Sequence, residues 1–104
     1  MIDRHGVEIR HGSVCFIEFR RDAFVAIIVF EYEGELWFVC RHELDCKVWR
    51  AIPLSTQDPG LISVRFNIAD MIDDHKVMGT ELRSVWVDRW NNLMSRFDGI
   101  QVIE

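Results

Sequence analysis

No apolar run in the chain exceeds eight residues; the longest is AFVAIIVF, 23–30. A membrane-spanning helix needs about 20 such residues, so the expectation is a protein that does not enter a membrane. Cysteine is scarce. The three residues, Cys15, Cys40 and Cys46, are odd in number and lack the spacing of a disulfide scaffold. There is no basic excess either. Twelve Lys and Arg against 17 Asp and Glu give a formal charge of −5, whereas a dedicated binder of nucleic-acid backbone normally presents a basic face. The opening Met1-Ile2-Asp3-Arg4-His5 is polar, without the apolar centre of a secretion signal. Together with the free thiols this gives a cytoplasmic protein as the expected location. The two prolines fall in one turn-rich segment, PLSTQDPG (53–60), which divides the chain into halves.

What is present is core material. Hydrophobic residues make up 49% of 104, enough for one domain over 1–104. SVCFIEF (13–19) alternates Cys15, Ile17 and Phe19 against Val14, Phe16 and Glu18. AFVAIIVFEY (23–32) is apolar on both faces, the pattern of a central strand covered on both sides. ELWFVCRH (35–42) follows Glu33-Gly34, a two-residue loop suited to a type I′ hairpin. That turn pairs Tyr32 with Glu35. Val25, Ile27 and Val29 then share a face with Phe38, Cys40 and His42, and Ile28 and Phe30 share the other with Trp37 and Val39. KVWRAI (47–52) reads as the next strand. LISVRFNI (61–68) reads as a clean alternation with Ile62, Val64, Phe66 and Ile68 inward. TELRSVWV (80–87) is a weaker strand, and ADMIDDHKVMG (69–79) fits a short helix or a loop. DRWNNLMSRFDG (88–99) is the one good helix, with Asp88 as cap and Trp90, Leu93, Met94 and Phe97 as its stripe. VEIR (7–10) and IQVI (100–103) complete the set as edge strands. The expected fold class is α+β: a twisted antiparallel sheet of about five to seven strands with one C-terminal helix. Its closure into a small SH3-like barrel is one expectation. A sheet open at one face that closes by dimerising is the other.

The segment closest to chemistry is CRHELDC (40–46). Cys40 and His42 face the same way on a strand. Cys46 after the turn and one of His5, His11, Cys15 or His75 would complete a tetrahedral set. The chain has no Cys-x(2–4)-Cys knuckle, so Cys40 reads instead as a small core residue beside Leu36 and Phe38, with His42 at the rim. No metal and no cofactor is expected. Cys15 stands six residues before Arg21, a spacing used by cysteine nucleophiles that attack phosphate. The intervening FIEFR holds no glycine for a phosphate-cradling loop and alternates like a strand. Arg-His-Gly occurs twice, at 4–6 and 10–12. Phosphate chemistry on histidine needs further Arg, His and Glu residues on a larger scaffold. The two triplets therefore read as polar turns bracketing an edge strand. The carboxylates Glu31, Glu33 and Glu35 crowd one hairpin tip, and Asp70, Asp73 and Asp74 precede His75. They read as solvated surface, or, in a more specific version, as an imitation of a phosphate backbone.

Four Trp exceed what a core of this length requires, and Trp is over-represented at binding hot spots. The leading expectation is a non-enzymatic protein-binding module, a small accessory or inhibitor protein of the bacterial or phage kind that occupies a partner's surface. Trp37, Trp49, Phe30 and Val39 are its candidate contact residues, with Glu33 and Glu35 beside them, and the partner is another protein or a second copy of the chain. The alternative is a nucleic-acid-binding small barrel that stacks bases on exposed Trp beside Arg20, Arg21, Arg41, Lys47 and Arg50. A small enzyme using His42 or His75 ranks third.

Overall fold

Glu33-Gly34 is the pivot of the sheet. In the computed structural model, which describes residues 1–40, 50–68, 88–91, 93 and 101–102, both residues have positive φ, 53° and 79°. This is the twist a two-residue hairpin requires. The turn joins β2 (Ala23–Tyr32) to β3 (Glu35–Cys40), with Tyr32 opposite Glu35, Phe30 opposite Trp37 and Ile28 opposite Val39. The register is the one the sequence dictates. Gly34 has open space around it, so Gly34→Ala meets no clash and only the backbone penalty of a side chain at positive φ. We expect a loss of about 1 kcal/mol in urea denaturation. Unchanged stability would show that the turn relaxes to another type.

β1 (Ser13–Arg20) pairs antiparallel with β2 through the Arg21-Asp22 turn, and β5 (Ile62–Asn67) pairs antiparallel with β1 on its other side. β4 (Arg50–Pro53) extends the sheet beyond β3. The two-residue strand β6 (Gln101–Val102) adds to β4 in parallel. The order is β5-β1-β2-β3-β4-β6. Of the expected strands at 47–52 and 100–103, Arg50–Pro53 and Gln101–Val102 are seen, and residues 47–49, 100 and 103 lie outside the described residues. VEIR is reduced to a single bridge between Ile2 and Glu8. Segments 69–79 and 80–87, Met94 and Phe97 lie outside the described residues.

The SH3-like barrel is overturned. β5 and β6 are the two ends of the sheet order, and among the described residues no pairing joins them. The sheet is five antiparallel strands with one short parallel addition, and it stays open. The reason lies in β2 and β3, which are apolar on both sides. A small barrel hides one face of its sheet as the interior, whereas a two-sided sheet needs a separate cover on each face. One face carries Val14, Ile28, Phe30, Trp37, Val39 and Ala51, and it is covered by Ile68 and by Trp90 and Leu93 of the C-terminal helix, whose residues 88–91 and 93 are described. The other face carries Cys15, Ile17, Ile27, Val29 and Phe38, and it is covered by Ile9 from the N-terminal segment and by Leu54. Leu54 opens the one-turn 3-10 helix Leu54–Thr56.

The expected single inward row of β5 also needs correction. Val14 pairs with Phe66, but the next residue, Cys15, pairs with Val64. Arg65 is therefore the extra residue of a β-bulge. It reverses the alternation, so that Ile62 and Val64 join one apolar cluster while Phe66 and Ile68 join the other.

The outer edge of β5 is covered by the N-terminal segment. The Arg4 amide donates to the Ile62 carbonyl at 3.0 Å. The Asp3 carboxylate accepts from the Val64 amide at 2.8 Å through Oδ2, and from the His5 and Val7 amides through Oδ1, both at 2.8 Å. The Arg-His-Gly triplets are the turns of this segment: Gly6 and Gly12 have φ of 82° and 90°, values that glycine adopts without strain.

Candidate functional site

The residues that suggested chemistry in the sequence are placed as follows. Cys15 is fully buried on β1, and burial, with a smaller contribution from Asp3, pushes its thiol up to about 12. A thiol so protonated is a poor nucleophile. Iodoacetamide at neutral pH is expected to spare Cys15 in the native protein and to label it in urea, as read by peptide mass spectrometry. Native labelling at Cys15 would show that the β1 face opens. Cys40 ends β3 half-buried, opposite Ile27. His42, Cys46 and His75 lie outside the described residues. Among the described residues, no three His, Cys, Asp or Glu side chains gather closely enough to hold a metal ion.

His11 is committed to the fold. Its Nδ1 accepts the Glu31 amide at 2.8 Å, and its carbonyl accepts from the Asn67 side chain at 3.1 Å. Its ring meets Trp90 edge-on at 4.8 Å. Partial burial lowers its pKa, with the Glu31 carboxylate acting in the opposite direction. His11 also lines a cleft of about 310 Å³ with Glu8, Arg10, Glu31 and Leu36. The histidine there is spent on holding the loop before β1 against β2 and the helix.

The proposed contact residues separate into two environments. Phe30, Trp37 and Val39 are buried in the cluster that Trp90 and Leu93 cover. Trp37 donates its indole N–H to the Tyr32 carbonyl at 3.3 Å. Glu33 and Glu35 are exposed at the β2–β3 turn. Trp49, Arg41 and Lys47 lie outside the described residues.

The exposed aromatics lie at the other end of β2. Phe16, Phe19 and Phe24 are 37%, 59% and 50% exposed on the β1–β2 hairpin. The Phe16 and Phe24 rings are 6.4 Å apart at a 37° tilt. The Arg65 guanidinium lies 5.1 Å from the Phe16 ring centroid, and that of Arg20 lies 5.9 Å from Phe19. These are cation–π distances. A cleft of about 440 Å³ opens here, lined by Arg4, His5, Phe16, Phe24, Ser63 and Arg65. In the sequence Phe16 and Phe24 sit inside strand-forming runs whose alternation does not distinguish one end of a strand from the other. The available signal was position: both lie near Arg20-Arg21-Asp22, a charged turn beyond the reach of the cover that buries the middle of the sheet.

The arrangement is exposed aromatic surface with two guanidinium groups over it. No helix among the described residues is long and apolar enough to cross a membrane. Comparison with protein-family models, with curated proteins and with solved structures finds no match to this chain.

Proposed function

We propose that the protein is a non-enzymatic binding module of the cytoplasm that acts by occupying the surface of a partner protein, as an accessory or inhibitor. The observation that carries this reading is the set of three exposed phenylalanines on the β1–β2 hairpin, two of them under arginine side chains. Large aromatic side chains with arginine beside them are the composition of interface hot spots. The part of the same hairpin farther from the Arg21-Asp22 turn, Val14, Cys15, Ile27 and Ile28, is fully buried, so the end left uncovered is a local feature of the sheet.

A second reading is favoured by one contact. Arg65 over Phe16, with Phe24 alongside, is also how a nucleobase platform is built. The net charge of −5 weighs against it, because a strand of phosphates would meet an acidic protein.

Photo-crosslinking separates these readings. With p-benzoylphenylalanine in place of Phe24, irradiation in host cells is expected to give discrete protein adducts, a second copy of the chain being one allowed partner. The same group in place of Glu33, at the opposite end of β2, is expected to give few. Adducts with nucleic acid would favour the second reading. Adducts at Glu33 alone would move the surface to the acidic tip. Equal labelling at both positions would overturn the proposal.

A further inference from the structure

The bulge in β5 has an outcome that neither strand needs for its own pairing. Arg65 is the residue without a counterpart on β1. Bulges re-aim side chains, and here the side chain ends over Phe16. Ser63 pairs with Phe16 on the same strand pair. A guanidinium held over a ring face spends no hydrogen bond on the ring, and its N–H donors can grip a carboxylate with two parallel bonds. Among the described residues Arg65 has no carboxylate partner. Arg4, across the cleft, has one: its Nη1 lies 3.3 Å from Glu18 Oε2, with the two side chains 40% and 26% exposed. Pairs so exposed are worth little and exchange readily.

We infer that the cleft lined by Arg4, His5, Phe16, Phe24, Ser63 and Arg65 is the subsite for an acidic side chain lying next to a large apolar one in a segment of a partner protein. The inference rests on the binding-module reading above and names the chemistry of its partner. Arg65 takes the carboxylate in its guanidinium fork, and Arg4 adds a second positive group. The exposed wall of Phe16 and Phe24 takes the neighbouring apolar side chain. Charge supports the assignment. The chain as a whole is at −5, yet Arg20 at the end of β1 and Arg21 in the adjoining turn join Arg4 and Arg65 against Asp3, Glu18 and Asp22. This end is therefore locally positive. A nucleic-acid strand is less well matched, because it needs a row of free cations along its backbone, and the cleft holds one uncommitted guanidinium.

Selection of random twelve-residue peptides on the intact chain tests this, with a twelve-nucleotide oligothymidine as a parallel probe. Peptides with Asp or Glu within a few residues of Phe, Leu, Trp or Met are expected to be enriched. Their affinity is expected to fall about tenfold or more in Arg65→Gln, with partial recovery in Arg65→Lys, which restores charge without the fork. Arg65 is exposed, and circular dichroism of both variants checks that they fold. Peptides that lack acidic enrichment, or that bind Arg65→Gln as well as the parent while losing Phe24→Ser, would overturn the carboxylate subsite and leave the binding module standing. Tighter binding of the oligonucleotide than of any selected peptide, or no selected peptide at all, would overturn both.

Discussion

Trp37→Glu is expected to leave the chain unfolded at room temperature. The Trp37 ring is 6% exposed and packs in the cluster where Ile28, Phe30 and Val39 from the sheet meet Trp90 and Leu93 from the helix. Removing such a ring costs about 3–5 kcal/mol. The carboxylate put in its place must then be desolvated or held protonated, at roughly several kcal/mol more. The indole bond to the Tyr32 carbonyl is also lost. The sum is comparable to the total stability of about 5–15 kcal/mol for a domain of this kind. Far-ultraviolet circular dichroism and the loss of a cooperative melt would record it. Phe24→Glu is the control: Phe24 is half exposed, and its replacement should cost about 1 kcal/mol or less. If Trp37→Glu stays folded with a Tm near that of the parent, the helix does not cover this face. The uncovered patch of Phe30, Trp37 and Val39 would then need an outside partner.

Asp3→Ala is expected to cost about 3–5 kcal/mol in urea denaturation at neutral pH, from three backbone donors that each lose a charged acceptor. The Asp3 carboxylate is buried and binds the amides of His5, Val7 and Val64. Burial on its own raises its pKa. The three amides, helped by His5, outweigh that, and the net result lies below the ordinary 3.8. The folded state therefore binds this proton less readily than the unfolded chain does. The associated stability is fully present above pH 3.8 and is lost as pH falls through the lower folded value. Asp3→Asn should show the same thing in reverse. It loses stability at neutral pH, because one acceptor oxygen is replaced by a donor, and the gap to the parent narrows in acid. A gap independent of pH would show that the carboxylate's charge contributes nothing.

The central hairpin was legible in the sequence because its information is local. Glu33-Gly34 admits one tight turn, the turn sets Tyr32 against Glu35, and every later pair follows with two side chains per repeat. The two-sided burial of Ile27 to Phe30 followed from the same run. Closure was not legible. Whether β5 meets the far end of the sheet depends on contacts between residues distant in sequence, and a barrel and an open layer use the same strand patterns. The bulge at Arg65 was hidden for a related reason. Ile62, Val64, Phe66 and Ile68 look like one inward row, and only pairing with β1 reveals that the row crosses from one face to the other. That crossing also positions the candidate cleft, so the sequence pointed to the surplus Trp residues rather than to Phe16, Phe24 and Arg65. The glycines of the two Arg-His-Gly triplets were more informative, since a turn needing positive φ leaves a mark at a single position. Asp3 left no such mark. Its partner Val64 lies 61 residues away.

Burial on both faces along β2 also governs what happens once the fold is lost. The stretch AFVAIIVF has no charge, no proline and no glycine, and the native sheet hides its second half, Ile27 to Phe30, from water on both sides. Released by heat, it becomes an extended apolar segment able to stack with identical segments from other chains. Such stacking competes with refolding and increases with protein concentration. Cooling after a melt should then recover less native signal as the concentration is raised, and a lysine in place of Ile28 should make any melted chain less prone to precipitate even though it weakens the native core. If that stacking outpaces refolding, survival on storage is expected to follow how fast the sheet opens rather than equilibrium stability alone.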